Sequence, residues 1–502
     1  MKPQDNSMII IGAGFAGLGA GIYGQRNGYK TRIFEMHNQP GGLCTSWNRK
    51  GYTFDGCIHW LVGSSPKSGL HDMWEETGIA DNSKIIDLDE YFRITDESGR
   101  TLIFYTDVDR LEKHLLESCS KDKEIISDFI AGIKVCIQFN AGSKHDSFLR
   151  KVSKRMKLIS IFALKGKKMK TWLNTTGEDY ASRVKDPLLA QAFRQMWIPE
   201  FSIFFMLFTF GYLHNRNAGY PIGGSKPMSE TLEAKYKELG GNIQYNKKVV
   251  KILTENGKAV GVKLEDGSEF LASRVISAAD GYSTLYGMLE DKFGDEKSRE
   301  PYQKWLRFPS LLFISFGINR KFDDITKTVS GHCYKVRKPV TVAGKIREWL
   351  PVHIFNQDPT LAPSGKTSIS IMLESDYDYW KDLSEDRAKY LEKKDEVAGQ
   401  VISMLGQVFP GISADIEVTD VATPVTFERY TGNWKGSFEG WLITPENASV
   451  IMKPMSQTIS GLSNFYMCGQ WVEPGGGLPT AIMSAKRLVK SICREDGKKF
   501  VS

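Results

Sequence analysis

The chain has 502 residues, with 66 Lys+Arg against 59 Asp+Glu, seven Cys and 41% hydrophobic residues. That length and apolar content exclude a single small module and predict two or three domains, while a net charge of +7 over so long a chain excludes an overall basic coat for nucleic acid. No apolar run reaches the roughly 18 residues of a spanning helix, and an odd cysteine count without a CxxC pair speaks against a disulfide framework or a zinc site, so no metal is expected and a reducing cytoplasm is.

The N-terminal segment lacks the basic, apolar and small-residue regions of a secretory leader and is expected to enter the first strand, Met8 to Ile11, directly. Gly12-Ala13-Gly14-Phe15-Ala16-Gly17 follows, then a helical stretch to Asn27 with Gly28 in a C-cap position. A second strand, Tyr29 to Phe34, ends in Glu35, 21 residues beyond Gly14. This is the spacing of a dinucleotide-binding βαβ unit. In such a unit Gly12 permits the tight turn, Gly14 lets backbone N–H groups approach a pyrophosphate, Gly17 lets helix and strand pack closely, and Glu35 accepts hydrogen bonds from a ribose diol. The alternative reading is a glycine-rich turn without a ligand.

Six residues past Glu35 stand Gly41-Gly42-Leu43, and then Gly51-Tyr52-Thr53-Phe54-Asp55-Gly56-Cys57-Ile58-His59-Trp60. With these the chain resembles the flavoprotein superfamily of phytoene desaturases, carotenoid isomerases, retinol saturases and amine oxidases, in which E-x5-GG and a following G-x-x-F-D-x-G-x-H segment help cradle FAD. The resemblance implies FAD rather than NAD. Cys57 departs from the pattern, standing where it usually has glycine.

From Lys144 to Asn174 ten Lys/Arg face one acid, Asp146, a local +9 that leaves −2 for the rest of the chain. Leu149, Val152, Met156, Ile159 and Ala163 recur at helical spacing there, with Arg150, Lys151, Lys154 and Arg155 on the other faces. This predicts a basic amphipathic helix, either lying on an anionic membrane or forming a solvated lid. Phe201 to Leu213 has only Ser202, Thr209 and Gly211 outside the hydrophobic set. It is too short to span a bilayer and reads as a core helix, the wall of a lipid tunnel, or both.

Pro221 to Gly224 precedes a helix to Leu239, and Val249–Ile252 and Ala259–Leu264 alternate as a hairpin before Arg274 to Asp280. In the resembling family this region completes the FAD domain, Val249 matches a residue whose backbone contacts the adenine, and Ala279 joins the cofactor-binding set. Strand-like pieces at Leu311 to Gly317, Thr367 to Leu373 and Asp415 to Val421, with a helix near Ser384 to Leu405, suit a substrate domain. Thr423 to Trp434 and Gly436 to Gly440 resemble the stretch leading back to the flavin.

Near the C-terminus a buried strand, Asn464 to Cys468, precedes Gly469-Gln470-Trp471-Val472-Glu473-Pro474-Gly475-Gly476-Gly477-Leu478-Pro479 and a helix to Lys490. The family's last FAD motif reads G-D-x-x-x-P-G-x-G. Gly469, Gln470, Gly476, Gly477, Leu478 and Pro479 fall on it, with Gln470 in place of the usual Asp, and the helix N-terminus would face the flavin.

The resemblance implies an α/β fold: a discontinuous, Rossmann-like (GR2-type) FAD-binding domain (1–90, 215–300, 450–502), a helical lid or membrane-facing insertion (91–214) and a mixed α+β substrate domain (301–449). The implied activity is an FAD-dependent oxidoreductase or isomerase acting on C–C or C=C bonds of a long apolar, isoprenoid or carotenoid-like lipid. His59 is the candidate proton donor, or a hydrogen-bonding partner of backbone beside the flavin; Trp471 and Glu473 are candidates to face substrate, ahead of Tyr430 and Arg429. Desaturation, saturation and isomerisation stay open, as does the electron donor or acceptor. An amine oxidase on the same scaffold is the alternative, and a non-catalytic prenyl-lipid binder, as in Rab GDP dissociation inhibitors, a further one. The expected location is cytoplasmic or peripheral on the cytoplasmic membrane face, with membrane contact through residues 144–174.

Overall fold

The structure, a computed structural model, describes residues 6–139, 143–326, 328–451 and 453–502, and of Lys151 only the backbone. Its fold is mixed α/β. Five helices matter for the site: α1 (Phe15–Arg26), α2 (Phe148–Leu173), α3 (Ile203–His214), α4 (Ser225–Glu238) and α5 (Leu478–Glu495).

The first strand, Ser7–Ile11, carries four consecutive apolar residues, all buried. A strand covered on both faces reads this way, as a continuous run rather than an alternation. It pairs in parallel with Lys30–Phe34 on one side and Arg274–Ser277 on the other, and Asn242–Gln244 and Phe465–Met467 form the two edges. Three distant stretches of chain therefore build one parallel sheet. α1 covers it, clasped between two neighbours: Gly19 faces Ile482 and Ala485 of α5, and Gly21 faces the Tyr236 ring of α4. Side chains at either position would hold the helices apart.

A second sheet of seven strands runs in the order Ile416–Ala422, Leu311–Ile318, Thr367–Glu374, Lys345–Ile354, Val329–Val342, Glu90–Thr95, Thr101–Tyr105. All neighbours are antiparallel except Val329–Val342 with Glu90–Thr95. Here the structure differs from the sequence reading. Residues 91–214, read as a helical insertion, begin with the two strands that finish this sheet, because the Tyr91-Phe92-Arg93-Ile94 and Leu102-Ile103-Phe104 alternation buries one face against the helices behind it. The expected helix near Ser384 begins at Arg387, where the Asp386 side chain caps the first free N–H groups.

The rest of the insertion is helical. α3 is buried along most of its length, and Gly211 lets it approach Cys136 closely. α2 is 26 residues long, and its buried apolar side chains among the described residues, Ile161, Met169 and Trp172, all lie in its C-terminal half.

Candidate active site

A cavity of about 1810 Å³ lies against the carboxyl ends of the parallel strands, where Ile11, Phe34, Ala278 and Cys468 line it, and extends beneath the seven-stranded sheet and α3. Its volume is well above the roughly 300–1,000 Å³ of ordinary small-ligand pockets. One end is built of backbone. Gly12 holds φ +97°, and a Cβ on Gly17 would collide with the Gly12 carbonyl oxygen. At Gly14 a Cβ would meet only the Gly41 carbonyl oxygen, at 3.9 Å, and Gly41 donates its N–H to Ala13 at 2.9 Å. The two glycine segments thus lie side by side, leaving bare backbone toward the cavity. Glu35 sits beside them, its carboxylate accepting the Ala13 N–H at 2.6 Å and the His37 N–H at 2.8 Å. Burial pushes this carboxyl up and the backbone donors oppose the rise.

Three helix N-termini meet this region, none capped by its own N-cap side chain and none with an acid in its first turn. The N-terminus of α4 is satisfied from within: buried Asp55 accepts the Ser225 N–H and hydroxyl, and also the Cys57 and Ile58 N–H groups. Asp55, the acid of the F-D-G-C run, thereby ties the 51–60 segment to α4. The N-termini of α1 and α5 line the cavity, where their dipoles favour an anion or electron-rich ligand, although at α5 the Gly477 N–H is already taken by the Glu439 carboxyl.

The other end is built of side chains. His59 stacks on His353, ring centroids 4.1 Å apart, and His353 donates its Nδ1–H to the Ser330 carbonyl at 2.8 Å. Burial and the neighbouring ring hold His59 well below the ordinary imidazole range; burial lowers His353 to about 4 and His332 to about 3. This end is therefore lined by neutral imidazoles. In the same cavity Glu439 accepts the Gly477 N–H at 3.0 Å, and burial pushes its carboxyl up to about 8. Tyr302, Trp434, Trp441 and Trp471 pack edge and face around that segment, Trp441 and Trp471 at 5.0 Å and 90°, and Asp280 accepts the Trp434 N–H at 2.9 Å. The cavity then continues along α3, past Phe201, Phe204, Phe205, Phe208 and Tyr212.

A family model for flavin containing amine oxidoreductases matches residues 15–493. The chain belongs to that family. It is an FAD-dependent oxidoreductase, and its relatives include carotenoid desaturases and isomerases. It is 25% identical to the chloroplastic prolycopene isomerase of Daucus carota, over 98% of this chain and 81% of that protein. It is also 25% identical to the neurosporene-forming phytoene desaturase of Rhodobacter capsulatus, over 96% and 93%. Among solved structures, a mutant putrescine oxidase shares the fold with a TM-score of 0.62 at 13% identity, over 97% of this chain and 99% of that one.

The cavity of this flavoprotein fits FAD on three observations: a backbone cradle that side chains would fill, a carboxylate beside it, and the N-termini of α1 and α5 facing it without an acid in their first turns. The sequence-predicted set, Gly12, Gly14, Phe15, Ala16, Glu35, Gly41 to Leu43, His59, Val249, Ala279, Gly469, Gln470 and Gly476 to Pro479, lines this one cavity; Gly17 stands behind the turn. Trp471 also lines it but belongs to the aromatic cluster, its carbonyl accepting the Trp441 indole N–H at 3.1 Å. Glu473 reaches the wall with its carboxylate held by Arg487 at 2.7 Å. Gln470, the family's usual Asp, turns its amide to Asn433 at 3.2 Å. Cys57 sits against Cys44 in the flavoprotein's wall, where that contact and burial raise its thiol well above the usual range.

Sequence reasoning passed over Glu439 and His353. Glu439 lies in Gly436-Ser-Phe-Glu-Gly440, where the one available signal was an acid inside a Gly/Ser/aromatic loop.

Proposed function

We propose that this flavoprotein exchanges hydride with a C–C or C=C bond of a long, apolar, isoprenoid-type substrate. The parallel-sheet part is read as a Rossmann-like FAD domain. In it the Gly12–Gly17 turn and the α1 N-terminus would hold the pyrophosphate, Glu35 a ribose diol, Val249 the adenine, and the α5 N-terminus the flavin end. Bound FAD supplies a two-electron centre that takes up or returns hydride. What remains for the protein is to exclude water, orient the substrate and manage one proton.

The observation that supports this reading is the aromatic wall along α3. Its length and apolar surface suit a water-insoluble chain and offer a small charged amine few partners. The C=C chemistry further needs a group that holds a proton near neutral pH. Glu439, pushed up to about 8 by burial, meets that need better than His59, which burial keeps neutral; at Glu473 burial also pushes the carboxyl up, but Arg487 opposes the rise. His59 and His353 then act by shape and by neutral hydrogen bonding.

The test is anaerobic incubation of FAD-loaded protein, oxidised or chemically reduced, with a polyene panel and an amine panel, followed by product mass. Loss of two hydrogens, gain of two, or a changed isomer at constant mass separates the three reactions on the polyene. Peroxide release from amines in air, with polyenes untouched, would instead favour the amine oxidase reading that the family description allows.

A further inference from the structure

We propose that the N-terminal half of α2 docks on an anionic lipid bilayer and that the seam between α2 and α3 is where an apolar substrate passes from bilayer to cavity. The passage rests on the function proposed above; the docking does not.

α2 has two apolar faces with different fates. Ile161, Met169 and Trp172 are buried against the body, and Trp172 and Lys168 both reach Asp128, at 2.9 Å each. At roughly 100° per residue, Leu149, Val152, Met156 and Ile159 fall on the opposite side of the helix. Phe148 and Leu149 are 79% and 78% exposed, Met156 60% and Ile159 53%. A water-soluble surface rarely carries so continuous an apolar stripe unless something covers it.

The charges beside the stripe say what covers it. Lys154 and Arg150 are held by Asp146 and Lys168 by Asp128, while Arg155, Lys157, Lys165, Lys167 and Lys170 make no ion pair among the described residues. A second copy of this chain would set one +9 window against another and be repelled. A bilayer with anionic headgroups offers the stripe an apolar layer and the cations a negative surface. No helix among the described residues is long and apolar enough to cross a membrane, so α2 lies along the interface.

From there a short aromatic series leads inward. Phe162, 43% exposed, meets Phe139 at 5.9 Å, and Phe139 meets Phe208 of α3 at 5.9 Å. Phe208 is itself a wall of the cavity. Rings can turn aside without leaving a polar group unpaired, which suits an apolar passage.

The experiment is vesicle flotation of FAD-loaded full chain with phosphatidylcholine alone or mixed with phosphatidylglycerol, over a salt series. Expected is binding to the mixed vesicles that weakens as salt rises, falls about 30-fold in R155Q/K157Q, and is lost in M156S/I159S while flavin content and melting temperature hold. Equal binding to neutral vesicles, no flotation, or a solution dimer that M156S/I159S dissolves would each overturn the docking. Passage is read as the ratio of turnover on vesicle-borne to micelle-borne polyene. A ratio that falls in M156S/I159S supports it and an unchanged ratio overturns it, whereas absence of turnover in every form ends the functional reading and leaves the flotation result standing.

Discussion

The Glu439 carboxylate accepts the N–H of Gly477, 38 residues further along, at 3.0 Å. It meets the helix α5 N-terminus end-on, and a Cβ on Gly476 would collide with it. One carboxyl group is thus fixed at the edge of the cavity, close to the end of the site that the family uses for flavin, and burial keeps its proton on at pH 7.

In the saturating or isomerising direction the rate should therefore fall as pH rises through about 8, where Glu439 loses its proton, and in the desaturating direction, where the group must accept one, it should rise. Glu439→Gln should lower turnover by about 10²- to 10⁴-fold and abolish that pH dependence; pH–rate profiles of both proteins check it. Stability gives an independent sign. A carboxyl raised from 4.5 to about 8 on folding contributes stability below pH about 4.5 that is progressively lost up to about 8. The melting temperature of the wild type should decline over that window more steeply than that of Glu439→Gln.

Gly17→Ala places a methyl against the Gly12 carbonyl oxygen in a turn packed from both sides. Overpacking of this kind costs about 1–3 kcal/mol. Purified variant should carry much less flavin than wild type, read as visible absorbance per protein, and full occupancy would remove the cradle role assigned to this turn.

Asp55→Asn keeps the shape but removes the charge that faces four donors at the start of α4. Hydrogen bonds to a charged group contribute about 1.5–3 kcal/mol. Thermal unfolding should shift down by several degrees, with flavin binding weakened as the 51–60 segment loosens.

Phe205→Asp puts a charge on the aromatic wall of the cavity. The KM for a long apolar substrate should rise at least about tenfold, and because Phe205 and Glu439 flank the adjacent glycines Gly475 and Gly476, kcat should fall as well. Steady-state kinetics on micelle-solubilised substrate separates the two constants.

Much of the cofactor end was legible because backbone geometry dictates it. A strand that must turn sharply into a helix needs glycine at positions 12, 14 and 17, and an acid two strands' reach away can be counted off. The substrate end obeys no such spacing. Glu439 gains its role from Gly476 and Gly477, which reach it only in the folded chain. His353 sits on Lys345–Ile354, a strand missed because Lys345, Arg347 and Glu348 break the apolar alternation where the hairpin meets water. For α2 the 3.6-residue period announced an apolar stripe, but its outward direction follows from Ile161, Met169 and Trp172, half a turn away, being the residues that pack.

The parallel sheet has a temporal consequence. Its strands come from residues 7–34, 242–277 and 465–467, and α5 contributes the last helix N-terminus to line the site. A chain emerging from the ribosome therefore carries the glycine turn and Glu35 for most of its synthesis with one edge of the sheet unpaired, and the binding site closes only with the final tenth of the sequence. Until then that edge stays open to other strands, and a stable flavin site requires that residues 465–495 have already been made.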